Sequence, residues 1–141
     1  MKFFLAIMTM LTTALLLTGA DATYVSSDKV TAALAKGGQL VRAADLAVSG
    51  SHREKGGQVE VHEKETDIMY VTEGEATFVT GGTMVGGKVT RPSQWLGTDI
   101  TGGTTHKLTK GDVIVIPAGT PHWFKEVPKS ISYYVVKVLK P

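Results

Sequence analysis

Four side chains in this sequence are of the types that bind metal ions or move protons. Glu60 and His62 stand two positions apart, Asp67 follows His62 by five residues, and His122 lies much further along the chain. Imidazole and carboxylate groups bind divalent Fe, Mn, Ni or Zn without thiolates. Because the chain has no cysteine, thiolate metal sites and disulfides are excluded. The residue types therefore predict a divalent metal site of two imidazoles and two carboxylates.

His122 follows a stretch that predicts a strand and a rigid turn. Residues 112–116 form a short apolar run with β-branched residues at positions 113–116, which is typical of a buried strand. Pro117 ends that run because proline lacks the N–H that a strand ladder needs, and Gly119 can adopt a positive φ in the turn that follows. The pattern predicts that His122 is held at a fixed place, at the start of the next strand.

The spacing around His62 permits convergence with His122. Glu60 and His62 share one face of a strand, because alternate side chains of a strand point the same way. On the next predicted strand Met69 and Val71 share the face of Asp67, and Phe124 shares that of His122. Small-molecule pockets usually have apolar walls with a few polar groups. We therefore expect Met69, Val71 and Phe124 to line a pocket and Tyr70 to point away from it.

One helix and many short strands are predicted to position these residues. Ser27 is expected to cap a helix over 28–36 that stops at Gly37. The period then changes to two, and Glu73-Gly74 predicts a turn between two strands. Short strands with glycine turns favour an antiparallel sandwich or barrel. The predicted strands cover 39–44, 46–53, 59–62, 67–72, 75–80, 104–108, 112–116, 122–127 and 131–139.

Residues 81–103 show no clear period and are predicted to form a long loop. The segment contains several glycines, Pro92 and Trp95. Such a loop is either a plain surface connection or a flap over a pocket mouth, since long loops in compact domains are often functional. In the second case Trp95 would contact a ligand in the pocket.

The first twenty-two residues differ in composition from the rest of the chain. Lys2 precedes an almost wholly apolar run, and small residues around Ala20 and Ala22 fit signal-peptidase cleavage. Residues 1–22 are therefore predicted to be a secretory signal peptide, with an uncleaved membrane anchor as the alternative. The mature protein would be periplasmic or secreted, with no membrane contact after cleavage. A formal net charge of +2 without a basic cluster gives no indication of a nucleic-acid partner.

At these motifs the chain resembles a small single-domain cupin. The second cupin motif, G-x5-P-x-G-x2-H-x3-N, is matched by Gly111, Pro117, Gly119 and His122, with Glu126 in place of the asparagine. The first motif, G-x5-H-x-H-x3 or x4-E-x6-G, is matched less fully. Aligned on Gly74, it places His62 on the second histidine, Asp67 on the glutamate and Glu60 where the first histidine would stand. The upstream glycine is approximated by Gly56 or Gly57.

The resemblance implies an all-β fold, a double-stranded β-helix (jelly-roll) cupin barrel with one short N-terminal helix. Residues 23–38 would form the helical segment and residues 39–141 the cupin domain. It also implies a metal ion inside the barrel, with His62, His122, Glu60 and Asp67 as the matching ligand positions. A spare carboxylate such as Glu60, or His52 near the end of its strand, would move a proton during catalysis. His106 is expected to be exposed and not to bind metal.

Three functions remain open at this point. The first is an exported metal-binding cupin that binds a small organic molecule in its barrel and, if it is an enzyme, acts as an oxygenase, isomerase or lyase. The second is a non-catalytic small-molecule-binding cupin that has lost its metal. The third is a structural role, in which the strand over 131–139, apolar on both faces, seeks a partner and forms a homodimer.

Overall fold

The computed structural model describes residues 19–141, so residues 1–18 of the predicted signal peptide lie outside the described residues. Within the described range, no helix is both long enough and apolar enough to cross a bilayer. One helix and twelve strands are found in that range: α1 Ser27–Lys36, β1 Gly38–Arg42, β2 Leu46–Arg53, β3 Val59–His62, β4 Glu65–Thr80, β5 Thr83–Val85, β6 Lys88–Arg91, β7 Gln94–Gly97, β8 Asp99–Thr101, β9 Thr104–Thr109, β10 Val113–Ile116, β11 His122–Glu126 and β12 Ile131–Leu139.

The strands form two antiparallel layers that share the long strand β4. In its first part β4 pairs with β12 and β10, and β12 also pairs with β2, which carries β1 at the edge. In its second part β4 pairs with β9 and β11, and the layer continues through β3 and β7 to β6. This arrangement is an all-β jelly roll, as the sequence predicts.

The predicted turn at Glu73-Gly74 is wrong, because β4 runs through it as one strand. Gly74 has φ 79° and pairs with Ile131, while the register of β12 shifts between Ser132 and Tyr133. A Cβ at position 74 would overlap the carbonyl oxygen of Ser130, so only glycine fits there. The glycine bends the strand from one layer into the other instead of ending it.

Residues 81–103 are not a loop, as the sequence suggested, but contain four short strands. β6 and β7 form a hairpin on the layer that holds β3, and β5 pairs with β8 as a separate two-stranded sheet. Short strands interrupted by glycines at positive φ give no sustained period of two, which is why the pattern is invisible in the sequence.

The helix and the core hold the two layers in place. α1 begins at Ser27 rather than after it, Ser26 occupies the N-cap position without a side-chain cap bond, and Gly37 follows the helix at φ 79°. The helix packs closely on β2, since a Cβ on Gly50 would lie 2.8 Å from the Cβ of Ala33. The inward faces form one apolar cluster of Met69, Val71, Ala76, Phe78, Leu108, Ile116, Phe124, Ile131 and Tyr133.

Candidate metal centre

The structure brings the four predicted ligand residues together at one end of the barrel. His62 Nε2 lies 3.4 Å from Glu60 Oε2 and 3.6 Å from Asp67 Oδ2, and His122 Nε2 lies 3.9 Å from the same Asp67 oxygen. The convergence follows from strand pairing, because β11 places His122 directly opposite Glu60 of β3. His62, His122 and Asp67 are buried, so these polar groups face each other away from bulk water.

Hydrogen bonds at the far side of each ring fix how the two histidines are oriented. His122 Nδ1 lies 3.0 Å from the carbonyl oxygen of Thr120, and His62 Nδ1 contacts Oε1 of the buried Gln94. A carbonyl or amide oxygen only accepts, so each Nδ1 carries a proton and each Nε2 faces the shared space, where it presents a lone pair when the imidazole is neutral. This second contact on the Nδ1 side is typical of metal-binding histidines.

Asp67 is held by a lysine that the sequence analysis did not single out. Lys137 Nζ lies 2.8 Å and 3.0 Å from the two Asp67 oxygens and 2.8 Å from Glu65 Oε2. That buried oxygen has no hydrogen-bond donor among the described residues, so its contact with Lys137 is an ion pair. An ammonium ion therefore already neutralises the carboxylate that the cupin motif assigns to the metal.

Glu60 is balanced by a rigidly held arginine. Arg53 NH2 lies 3.3 Å from Glu60 Oε1, and Arg53 Nε donates to the Tyr133 hydroxyl at 3.0 Å. The guanidinium also stacks 4.6 Å above the centre of the Phe124 ring, and the Phe124 and Tyr133 rings are themselves stacked. Arg53 is thus fixed on three sides, with one Glu60 oxygen left to face His62.

The pKa values differ among the metal-site residues according to their contacts. Burial by itself raises the pKa of Glu60, but its hydrogen bond with His62 and its electrostatic attraction to His122 and Arg53 lower it to about 2. Burial lowers the pKa of His122. Burial also acts to lower the pKa of His62, but the hydrogen bond to Glu60 and the charge of Asp67 outweigh it and raise that pKa. Glu60 is therefore an anion at neutral pH, and His122 is a neutral imidazole.

A cavity of about 200 Å³ opens beside the four residues. The predicted pocket residues Met69 and Phe124 line it, as do Arg53 and Lys137. The lining set combines a few apolar side chains with charged and polar ones: Ser51, Arg53, Gln58, Glu60, His62, Asp67, Met69, Arg91, His122, Phe124, Tyr133, Val135 and Lys137.

Three residues predicted to face the pocket lie elsewhere. On β2, Arg53 takes the inward position, so His52 points outward and bonds to Ser132 Oγ at 2.8 Å. Val71 is 1% exposed and packs in the core beyond the cavity. Trp95 borders a separate depression on the outside of the barrel and donates to Glu63.

Two further residues, His106 and Tyr70, lie away from the candidate metal ligands. His106 is half-buried rather than exposed, because it bonds to Thr80 Oγ1 at 2.8 Å, and it is absent from the cavity lining. Tyr70 points outward with 46% of its surface exposed, as its strand parity predicts.

The sequence did not predict three of the functional candidates, which are Gln94, Lys137 and Arg53. Lys137 had a readable signal, since it interrupts the apolar alternation of Tyr133 and Val135 on the inward face of β12. A buried charge is costly unless it is paired, so a lysine at an inward position of an apolar strand predicts a buried anion beside it. Gln94 had no such signal, because the strand that carries it was read as loop.

The residues present fit a divalent metal ion. Ligand atoms of Glu60, His62 and His122 all lie within 4.8 Å of one another. Nitrogen and oxygen ligands sit about 2.1 Å from a metal, so two ligands of one ion are separated by roughly 3–4 Å. Two imidazole lone pairs and one carboxylate correspond to the two-histidine, one-carboxylate set that leaves other positions open.

Comparison with known proteins agrees with this fold. The family described as Cupin matches residues 29–139. Three solved structures share the fold: a Bacillus halodurans protein (18% identity, TM-score 0.53, covering 73% of this chain and 69% of that one), a Klebsiella pneumoniae protein with a double-stranded β-helix domain (17%, 0.50, 72% and 69%), and an RmlC-like cupin from Methanocaldococcus jannaschii (13%, 0.51, 73% and 78%). No curated protein matched the chain.

The protein is therefore a small single-domain member of the cupin family. Its barrel carries a group of histidine and carboxylate residues that could hold a metal ion. The matched region contains both motifs on which the resemblance rests.

Proposed function

We propose that this cupin binds divalent iron or manganese through Glu60, His62 and His122 and uses it to bind and activate a small organic molecule in the barrel. The observation that carries the proposal is that ligand atoms of Glu60, His62 and His122 all lie within 4.8 Å of one another, while an acceptor oxygen holds the Nδ1 side of each histidine. Hard carboxylate and imidazole ligands favour iron or manganese over copper. When bound, the metal would supply Lewis-acid polarisation of a ligand oxygen.

The chain's own residues would bind and orient the molecule. Phe124, Tyr133 and Met69 provide an apolar wall, and Arg53 provides fixed hydrogen-bond donors. Asp67 lies within reach of both histidines and shares its charge with Lys137. This ion pair is the group best placed to hold or move a proton at Asp67 Oδ2, a role that replaces the one expected of His52.

We also propose that the protein works outside the cytoplasm. Support comes from the sequence pattern of residues 1–22 alone, which combines a basic start, an apolar run and small residues before Ala22. N-terminal sequencing of the protein recovered from the periplasm or medium tests it, and an N-terminus after Ala20 or Ala22 is the expected result.

The experiment that tests the metal site is elemental analysis of natively purified protein, followed by manganese titration of the metal-free form. We expect one equivalent of iron or manganese in the native protein, lost in both Glu60→Gln and His122→Ala. His106→Ala is the matched control, because this histidine lies outside the cavity, and it retains the metal. A native protein without metal that also fails to bind added manganese contradicts the proposal.

A second function, metal-free binding of a small molecule, is favoured by one specific contact. Lys137 already neutralises Asp67 with contacts to both oxygens, and an ammonium ion there could stand in for the metal's charge. This alternative predicts that ligand binding is unchanged in His122→Ala and in the presence of a chelator.

A further inference from the structure

When both histidines are neutral, the charges around the cavity cancel before any metal is bound. Arg53, Arg91 and Lys137 supply three positive charges, and Glu60 and Asp67 supply two negative ones. Glu65 lies directly behind the lysine, 2.8 Å from its Nζ, and brings the set to neutrality. A divalent cation then adds two positive charges in a partly buried space, where charge is weakly screened.

Arg53 is the cation best prepared to receive an anion from this cavity. Its contacts with Tyr133 and Glu60 use two of the five guanidinium donors. The stacking on Phe124 holds the plane of the group in place, so little side-chain entropy is lost when a ligand binds. Its side chain remains 30% exposed, which leaves it accessible from the cavity.

Lys137 is not available in the same way. Its ammonium group already contacts both Asp67 oxygens and lies beside Glu65. Two of its three N–H donors are used by Asp67 and the same nitrogen forms an ion pair with Glu65, so a ligand would have to compete with existing ion pairs. The accessible positive groups are therefore the exposed Arg91, the fixed Arg53 and a metal bound at Glu60. Of the two arginines, Arg53 is the one held in place by the contacts described above.

The size and walls of the cavity restrict the ligand further. A volume of about 200 Å³ equals the liquid volume of roughly seven water molecules at ~30 Å³ each, which suits a short organic acid. Phosphate sites are usually built from backbone N–H groups at helix ends or nests. Here the lining consists mostly of side chains on strands, and its fixed donor is the planar Arg53 guanidinium instead of a row of backbone N–H groups.

We propose that the ligand is a small carboxylate, with its carboxylate group held by the Arg53 guanidinium and reaching the metal bound at Glu60, and with its carbon chain against Phe124 and Met69. The inference rests on the proposed function for the metal contact. The arginine contact stands independently of it. A guanidinium matches a carboxylate in shape and binds it through two parallel hydrogen bonds.

Calorimetric titration of the manganese-loaded mature protein tests this assignment, with succinate as the probe and the uncharged succinamide as its isostere. We expect succinate to bind at least tenfold more tightly than succinamide. Arg53→Met should weaken succinate binding about tenfold to a hundredfold, the range typical of lost hydrogen bonds to a charged group. Arg42→Met is the matched control, because Arg42 is exposed on β1, and it leaves the affinity unchanged.

A second variant keeps the test valid if Arg53→Met folds poorly. Tyr133→Phe removes the hydroxyl that fixes Arg53 Nε while retaining both the ring and the charge. We expect it to weaken succinate binding by a few fold and to leave succinamide unaffected.

Three results would overturn the assignment: equal affinity for succinate and succinamide, unchanged succinate affinity in Arg53→Met, or tighter binding of inorganic phosphate than of succinate. Manganese occupancy is measured first by electron paramagnetic resonance, so loss of the metal site is recognised separately. If the wild-type protein binds no manganese, the proposed function fails. The same titrations on the metal-free protein then decide the role of Arg53 alone.

Discussion

Glu60 represents the largest chemical change among the residues of the cupin motifs. It stands where the family's first histidine would be and replaces a neutral ligand with an anion. The structure shows how the charge is accommodated, since Arg53 binds one carboxylate oxygen and His62 faces the other. The substitution is therefore coupled to an arginine from a different strand, and the pair retains one oxygen for a metal ion.

Protons and metal compete for His62, so metal affinity should depend on pH. Because the pKa of His62 is raised and that of His122 is lowered, His62 takes up its second proton at a higher pH than His122 does. Glu60, with a pKa of about 2, is already ionised. We expect manganese affinity to fall as the pH decreases through the pKa of His62, by up to tenfold per unit.

Calorimetry in two buffers of different ionisation enthalpy measures the protons released on metal binding. The number of protons released per manganese ion is expected to rise as the pH falls, with His62 contributing before His122. Proton release that does not change with pH would contradict the competition between protons and metal at His62.

Lys137 should limit how many carboxylates the metal can use. In Lys137→Met, Asp67 loses its cation and becomes free to act as a fourth ligand, so we expect manganese to bind about tenfold more tightly. The metal-free variant should be less stable, because an unpaired buried carboxylate is costly. Thermal unfolding with and without manganese should show that the metal restores this stability.

Combining Lys137→Met with Asp67→Asn separates ligation from simple electrostatics. If Asp67 becomes a ligand, the affinity gained from Lys137→Met disappears when position 67 is an asparagine. An equal gain in both backgrounds would mean that removal of a positive charge alone causes the effect.

At the scale of elements, β11 and β7 show what the sequence could and could not predict. The turn before His122 is encoded locally by Pro117 and Gly119, so its place could be read from spacing alone. Gln94 reaches His62 only because β7 pairs with β3, with Gln94 opposite His62. That pairing depends on contacts between distant segments, and the glycine-rich segment around β7 has no periodicity that reveals it.

The position of Arg53 shows the same division between local and long-range information. The alternation of side chains along one regular strand correctly predicts that Asp67 and Met69 point inward and that Tyr70 points outward. The sequence also shows that His52 and Arg53 point to opposite faces of β2. Which of these faces meets the cavity depends on how β2 pairs with β12, where Arg53 lies opposite Ile131. His52 was therefore expected on the wrong face.

Gln94 should hold His62 in the metal-binding tautomer. Gln94→Leu removes the acceptor for His62 Nδ1–H, and loss of such a partner typically costs 10–100-fold in metal affinity. We expect manganese binding to weaken within this range, as measured by competition with a chelator. Gln39→Leu, on the exposed part of β1, is the control and should have no effect. Unchanged affinity in Gln94→Leu would contradict the role of β7 in the site.

At the scale of the whole molecule, one outer face of the barrel is apolar and uncovered in the described chain. It comprises outward residues of β4, β10 and β12, with Tyr70 46%, Val113 62%, Val115 55% and Val138 42% exposed. The alternation that sends Met69 and Lys137 inward sends these residues outward. α1 covers the neighbouring strand β2 and leaves this region open. Contiguous apolar surface of this kind commonly mediates association.

We expect this face to form a homodimer, as the apolar character of 131–139 suggests from sequence. Val115→Lys places a charge at the centre of the patch, on a strand whose only partner in the described chain is β4. It should convert a dimer to a monomer in size-exclusion chromatography with light scattering, whereas a chelator should not. Val89→Lys is the matched control, because Val89 is 57% exposed on β6 in the other layer, and it should remain dimeric. A wild-type protein that is monomeric at every concentration, or dissociation by both substitutions alike, would show that this face does not hold two copies together.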